Sequence, residues 1–576
     1  MNGIRGRLRA LARVCLPASR RQLARWMVLA VLGVSAGQAL GDEAAAPAVP
    51  TASAVSAVSA AAAPADAGAA IYQRGILGSG APLEAMHQDG VRLRGAAAAC
   101  INCHRRSGLG AKEGNNTIPP ITWRYLVHPR AQTGEDLDIP YVPGMRTDRE
   151  PYTEEQLARA VRDGIDSEGR PLAGLMPQYA LDDADMAALS GYLKRLDRRR
   201  LPGVTDTVLH FATIVTPDAD PVKRAGMLDV LQHYFADKNA FPFGTTPPLR
   251  STRKMMFMVN RRWELHVWSL TGPPDTWHAQ LDAYLERQPV LAVVSGLGGR
   301  NWAPVHDFCE AAAVPCLFPN VEVPVETDRD FYSVYFSRGV LLESDLIAKR
   351  ILDEAGARPV KTVWQVYRAG DNGERGAQAL AAALKARGIA VSNHALAPRD
   401  GVAHALRRMP SDDVLVLWLR PPDLAALDPM PPASDTVFVS GLLGGLDSMP
   451  LPTSWRGVTR VAYPFDLPEG RRVRVDYAFG WFTIRKIPMV APQVQADTYL
   501  ACGLLAETLS HVVDSFVPEY LVERIQDMLE RRILTGYYPR LTLAPGQRFA
   551  SKGGYIVRFA GPDRTKISAD GGWIVP

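Results

Sequence analysis

The spacing of apolar positions changes character along this chain. Between about 66 and 200 it is helical. Ala69, Ala70, Ile71 and Tyr72 predict a first helix, and Leu157, Ala160 and Val161 predict one that Thr153 caps and Gly164 stops. Met186, Leu189, Tyr192, Leu193 and Leu196 predict a last helix, capped by Asp182 or Asp183 and packed on the first. Beyond Arg198-Arg199-Arg200-Leu201-Pro202-Gly203 the pattern changes, and short β-branched runs alternate with amphipathic stretches. Strands are predicted over 208–216, 290–296, 362–367, 389–393, 414–419 and 437–439, with helices over 225–235, 305–311 and 374–387. Such alternation puts helices on both faces of parallel sheets.

Ahead of these segments lies a stretch with no packing pattern. Seven arginines and no acid precede Asp42, and Trp26–Leu40 is an apolar run too short for a comfortable bilayer span. Small residues at Ala39-Leu40-Gly41 complete an export signal over 1–41. Ser19-Arg20-Arg21-Gln22-Leu23 has twin-arginine character. Residues 42–66 are Ala/Pro-rich and read as a tether. The expected location is an oxidising periplasm, with no membrane span once the signal is removed. The formal charge of +5 belongs to the signal; without its seven arginines the remainder carries −2, which argues against nucleic acid as a partner. The 576 residues, 47% hydrophobic and 22% charged, suit a multidomain globular chain.

One motif carries strong chemistry. Cys100-Ile101-Asn102-Cys103-His104 is C-x-x-C-H, the signature of covalent haem c attachment. The two thiols add to the haem vinyl groups, and the adjacent imidazole reaches the iron from the proximal side. A sixth ligand would be Met176 in Leu175-Met176-Pro177, with Met86, Met145, Met186 and His128 as competitors. A Pro119 or Pro120 carbonyl is placed to orient His104 through its other ring nitrogen. A single C-x-x-C-H excludes a two-haem peroxidase pattern, and no P-loop, H-E-x-x-H or G-x-S-x-G is present.

Residues 67–200 resemble a class I cytochrome c in the order helix, C-x-x-C-H, loop, Met, helix, and in the approach Tyr72-Gln73-Arg74-Gly75. The resemblance implies an all-α domain, one haem c, Met176 as distal ligand, and electron transfer rather than catalysis. Redox partners would be periplasmic, of the quinoprotein dehydrogenase or terminal-oxidase cytochrome kind. Residues 206–576 resemble the type I periplasmic binding fold of leucine/branched-chain amino-acid receptors, through VLAVVSGLGG, VPCLFPN and KTVWQVYRAGDNGERGAQALAAALKARGIAV in that order. This implies two α/β lobes, one over about 206–327 and 456–535, the other over about 328–455 and 536–576, with a small-molecule ligand in the cleft between them. Ser295, Gly298, Gly299, Tyr367 and Asp371 fall at matching cleft positions. The carboxylate-binding hydroxyl is missing from Leu297-Gly298-Gly299-Arg300, and Asn372-Gly373 replaces the usual Tyr-Gly. Cys309 and Cys316 are spaced for a local disulfide in an oxidising compartment. A second reading of the whole is a solute receptor, for an amino acid or other small organic ligand, in which the haem domain is regulatory.

Overall fold

A computed structural model describes residues 65–113, 116–128, 149–197, 201–240, 261–327, 329–355, 360–407, 409–410, 413–512, 515–544 and 546–576. All belong to one compact unit, Ala60–Pro576. The signal segment 1–41, nearly all of the tether 42–66, and Met145 lie outside the described residues.

The first helix, Ala67–Arg74, starts where Asp66 accepts from the Ala69 amide and ends at Gly75 with φ +63°. It crosses the last helix of this segment, Asp183–Asp197, at Gly68, where a Cβ would lie 2.1 Å from the Ala188 carbonyl oxygen. Only glycine permits that approach. The Tyr72 and Tyr192 rings sit 5.1 Å apart beside it. Between them in chain order lies the helix Glu154–Asp163, closed by the predicted Thr153/Gln156 capping box and by Gly164. The segment is not all-α. Glu84–Met86 pairs antiparallel with Arg92–Arg94 and with Gln178–Tyr179, and Ala111–Glu113 pairs with Asn116–Ile118. These strands are two or three residues long, too short to leave an alternating pattern in the sequence.

The rest of the chain builds two sheets. Among the described residues one has five strands, in spatial order 333–334, 316–317, 292–294, 208–215, 262–269, all parallel. The other has seven, in spatial order 390–396, 362–368, 414–418, 437–440, 459–463, 555–560, 566–569, with the last two antiparallel. The strands over 414–418 and 437–440 are buried at every position, as a sheet covered on both faces requires.

The lobe boundaries need correction. Ser333–Val334 pairs with Cys316–Leu317 in the first lobe, and Thr459–Tyr463 pairs with Val437–Ser440 in the second. Hydrophobic runs show that strands exist, but ladder bonds decide which sheet receives them. The chain therefore crosses between lobes just after Phe336, after Tyr463 and after Phe549; Tyr335 and Phe549 bridge side by side at two of these crossings.

Candidate functional site

Cys100 opens a single helical turn, Ile101–His104, that leaves Cys103 exposed and turns His104 inward to 6% exposure. The His104 Nδ1 lies 3.1 Å from the Pro119 carbonyl oxygen, so it donates there and Nε2 is left as the free lone pair. The hairpin just before Pro119 sets this distance. Gly110 joins it with φ +71°, and a Cβ there would lie 2.1 Å from the Ile118 carbonyl oxygen. Burial pushes the His104 pKa down to about 4 against the pull of the Pro119 carbonyl, so the ring is neutral, as a metal ligand must be.

The 176–179 segment comes back to the same place. The two cysteines are near enough to Tyr179 to add to the upward shift that burial gives its hydroxyl. Met176 is half-buried on the rim of the cluster that Cys100 and Ile101 also border. Of the competitors, Met186 is buried in that cluster, and His128 ends the helix Trp123–Val127. Met86 stands opposite Gln178 on the neighbouring strand and is 43% exposed. Two thiols, a neutral imidazole fixed by its second nitrogen, and a thioether on the same rim suit haem c.

The loop after His104 leaves the haem segment and enters the α/β part. The Ser107 amide and hydroxyl donate to the two oxygens of Glu523, at 3.0 and 2.6 Å. The Arg106 guanidinium lies 4.6 Å from the Phe331 ring centroid, and Arg105 pairs with Asp527 at 3.6 Å. Burial raises the Glu523 pKa to about 7 despite its bonds to Ser107.

A cavity of about 720 Å³ lies between the two lobes, beyond the carboxyl ends of their strands. Gly298, Gly299 and Asp371 line it. Ser295 and Tyr367 do not. Ser295 is fully buried, donates to Thr498 Oγ1 at 2.8 Å and accepts from Asn320 at 3.0 Å. Tyr367 packs into the second-lobe core. The cavity is lined instead by residues further along the same two loops, from Leu297 onward and at Asp371 and Asn372.

Across the mouth runs an ion lattice. Arg420 of the second lobe donates to Asp371 at 2.8 and 2.7 Å and to Glu322 of the first at 2.9 and 2.8 Å. Lys223 and Asn372 also reach Glu322, at 3.1 and 2.8 Å. Burial works against its ionisation, yet Lys223 and Arg420 hold Glu322 down at about 2. Arg300 and Arg338 are paired too, with Asp218 and Asp345.

Sequence reasoning missed Asp497, in the first turns of the helix Pro492–Val512. It lines the cavity beside Tyr335, Phe336, Phe465 and Tyr538 and is 3% exposed. Its Oδ2 accepts from the Tyr538 hydroxyl at 2.9 Å and from Gln493 at 2.5 Å, whereas its buried Oδ1 has no partner. Burial lifts its pKa to about 7. The signal was there to find: Asp497 is the one acid in the apolar stretch 494–506 of that helix.

The expected disulfide is not formed. Cys309 and Cys316 are free, buried thiols in contact, and the hydrogen bond to Cys316, together with burial, holds the Cys309 thiol far up. Seven residues of separation brought the sulfurs together, but the spacing did not decide the bond.

Residues 88–197 match the cytochrome c family model. No curated protein matches the chain. Solved structures similar to it include a fatty acid ABC transporter substrate-binding protein from Thermomonospora curvata (15% identity, 66% of this chain and 95% of that one, TM-score 0.48). A leucine-binding protein from Thermotoga maritima is similar at 12% identity, over 64% of this chain and 99% of that one, with TM-score 0.44. A branched-chain amino-acid transporter substrate-binding protein from Streptococcus pneumoniae, in complex with isoleucine, is similar at 10% identity, over 64% and 100%, with TM-score 0.45. The chain thus carries a cytochrome c domain, which implies covalently bound haem c, together with a two-lobed α/β part. Among the described residues no helix is long and apolar enough to cross a membrane.

Proposed function

We propose that this protein is an exported, periplasmic one-haem cytochrome c that relays single electrons, fused to a binding-protein-like domain that docks its redox partner or holds a small ligand. Cys100 and Cys103 would hold the haem through thioether bonds, and His104 Nε2 and Met176 would be the side chains that reach its iron. When bound there, the haem would supply one-electron exchange. The residues of the chain do the positioning. The Pro119 carbonyl selects the His104 tautomer, and burial keeps that ring neutral. This is an electron-transfer and binding role rather than an enzymatic one. Electrons would come from a periplasmic dehydrogenase of the quinoprotein kind and leave to a terminal-oxidase cytochrome.

The observation that carries this reading is the His104–Pro119 bond beside two thiols at C-x-x-C spacing. The test is spectroscopic. Haem should stay with the protein through acid-acetone extraction, and the oxidised protein should show the far-red sulfur-to-iron band. Met176→Ala should lose that band, and its reduced form should gain carbon monoxide binding, while Met86→Ala should do neither. Colourless protein, or a gain of carbon monoxide binding only in Met86→Ala, would overturn the assignment.

The unpartnered Asp497 oxygen favours a ligand in the cleft over pure docking. It calls for a compound that donates a hydrogen bond, an amine or an alcohol, with a body that packs on Tyr335, Phe336 and Phe465. A thermal-shift screen of amino acids, amines, alcohols and aromatic acids should give a stabilising hit that Asp497→Asn loses. Absence of any hit leaves docking as the role of this domain.

A further inference from the structure

At the opposite end of the five-stranded sheet from the cleft, three metal-binding side chains meet. His210 stands on the strand 208–215; Glu264 and His266 stand on the edge strand 262–269. The two strands are parallel, with His210 opposite Glu264 and Ala212 opposite His266. All three side chains therefore project from one face, at consecutive same-face positions. His210 Nδ1 and His266 Nε2 are 3.0 Å apart. Oxygens of Glu264 lie 3.9 Å from the first and 4.0 Å from the second.

We propose that His210, Glu264 and His266 form a binding site for one divalent transition-metal ion of the zinc and copper class, distinct from the haem. A tetrahedral ion with bonds of about 2.0–2.1 Å needs donor atoms roughly 3.4 Å apart; the two nitrogens are 3.0 Å apart, and one donor atom from each of the three residues lies within 4.8 Å of the others. Imidazole with carboxylate is the donor set these ions take, whereas magnesium and calcium take oxygen alone. Three protein ligands leave a fourth position to water.

The surroundings suit the assignment. The backbone on both sides of His210 is fixed, since its amide donates to the Gly203 carbonyl and its carbonyl accepts from Leu291, each at 2.8 Å. The second strand is the sheet edge, and the side chains of His210, His266 and Glu264 are 13%, 22% and 44% exposed, so an ion has an approach. Among the described residues the cation paired with Glu264 is Arg262, at 3.7 Å and itself largely exposed. A second His-carboxylate group, His306 with Glu310 and Asp330, fails the same scrutiny, because Glu310 is already taken up by the amides of Phe331, Tyr332 and Ser333.

The position of the site gives it a role in holding the fold. Gly203 lies in the short connection between the last haem-domain helix and the strand of His210. A bound ion would clip that strand to the sheet edge.

The experiment uses the full, haem-loaded protein stripped with a chelator and equilibrated with zinc chloride alone. One zinc per chain beyond the haem iron is expected, with a higher melting temperature that chelator reverses. Copper(II) should displace the zinc and magnesium should not. His210→Ala and His266→Ala should each lose stoichiometric zinc while keeping the haem spectrum and the metal-free melting temperature. Glu264→Gln should bind more weakly than the parent, and His278→Ala, at another His–Asp pair, should bind as the parent does. No zinc on the parent protein, or undiminished zinc on both histidine variants, overturns the proposal.

Discussion

Glu523 shows how one buried carboxylate ties two segments together. Both its oxygens are taken by Ser107, three residues beyond the haem histidine, and it is 4% exposed. Burial is the main cause of its raised pKa; Ser107 and Arg105 pull the other way. The sign of the pH effect follows. Between the ordinary glutamate value of 4.5 and about 7, the folded protein holds a proton that the unfolded chain has released. Stability from this group is complete below 4.5 and is lost as pH rises toward 7, by up to roughly 3 kcal/mol. Asp497 adds a loss of the same sign from 3.8 to about 7, and Glu343, buried under Ser440 and Leu442, another from 4.5 to about 8. Urea titrations at several pH values should show this decline, and Glu523→Gln should remove its share. A decline as steep in the variant as in the parent would assign the effect to the other two acids.

At the scale of elements, most local structure follows from local chemistry. The Thr153/Gln156 capping box forms, Asp182 accepts from the Asp185 amide at 2.7 Å, and the apolar faces of the haem-domain helices meet as their spacing requires. Thr153→Ala should cost about 1 kcal/mol, read as a lower urea midpoint of the haem-domain absorbance. The short strands around Met86, Lys112 and Gln178 were not foreseen, because two or three residues carry no period.

Over the whole molecule the lobes are held together at the cleft by Arg420. It joins Asp371 on its own lobe to Glu322 on the other, and Asn372 adds a bond to the Gly299 carbonyl at 3.3 Å. Arg420→Ala removes the cation that Asp371 and Glu322 share, leaving Glu322 with Lys223 as its cation, and the closed arrangement should weaken by about 2 kcal/mol. Small-angle scattering should then report a larger radius of gyration than for the parent. An unchanged radius would place the hold on the lobes in the three crossing segments instead.

The sequence by itself determined what is covalent or short-range. Haem attachment needs two thiols and an imidazole within five residues, and helix caps act over three or four, so both are written where they act. The alternation of strands and helices was legible for the same reason, whereas the sequence left the carbonyl behind His104 open between Pro119 and Pro120, and the fold chose Pro119. Tertiary structure alone decided what depends on distant groups meeting. Ser107 and Glu523 are 416 residues apart, and His210 and His266 are 56 apart. The sheet that receives Thr459–Tyr463, the side on which Ser295 and Tyr367 face, and the unpartnered oxygen of Asp497 are all set by packing against remote chain. No pattern along the chain encodes those neighbours, because burial and contact are properties of the folded surface rather than of spacing.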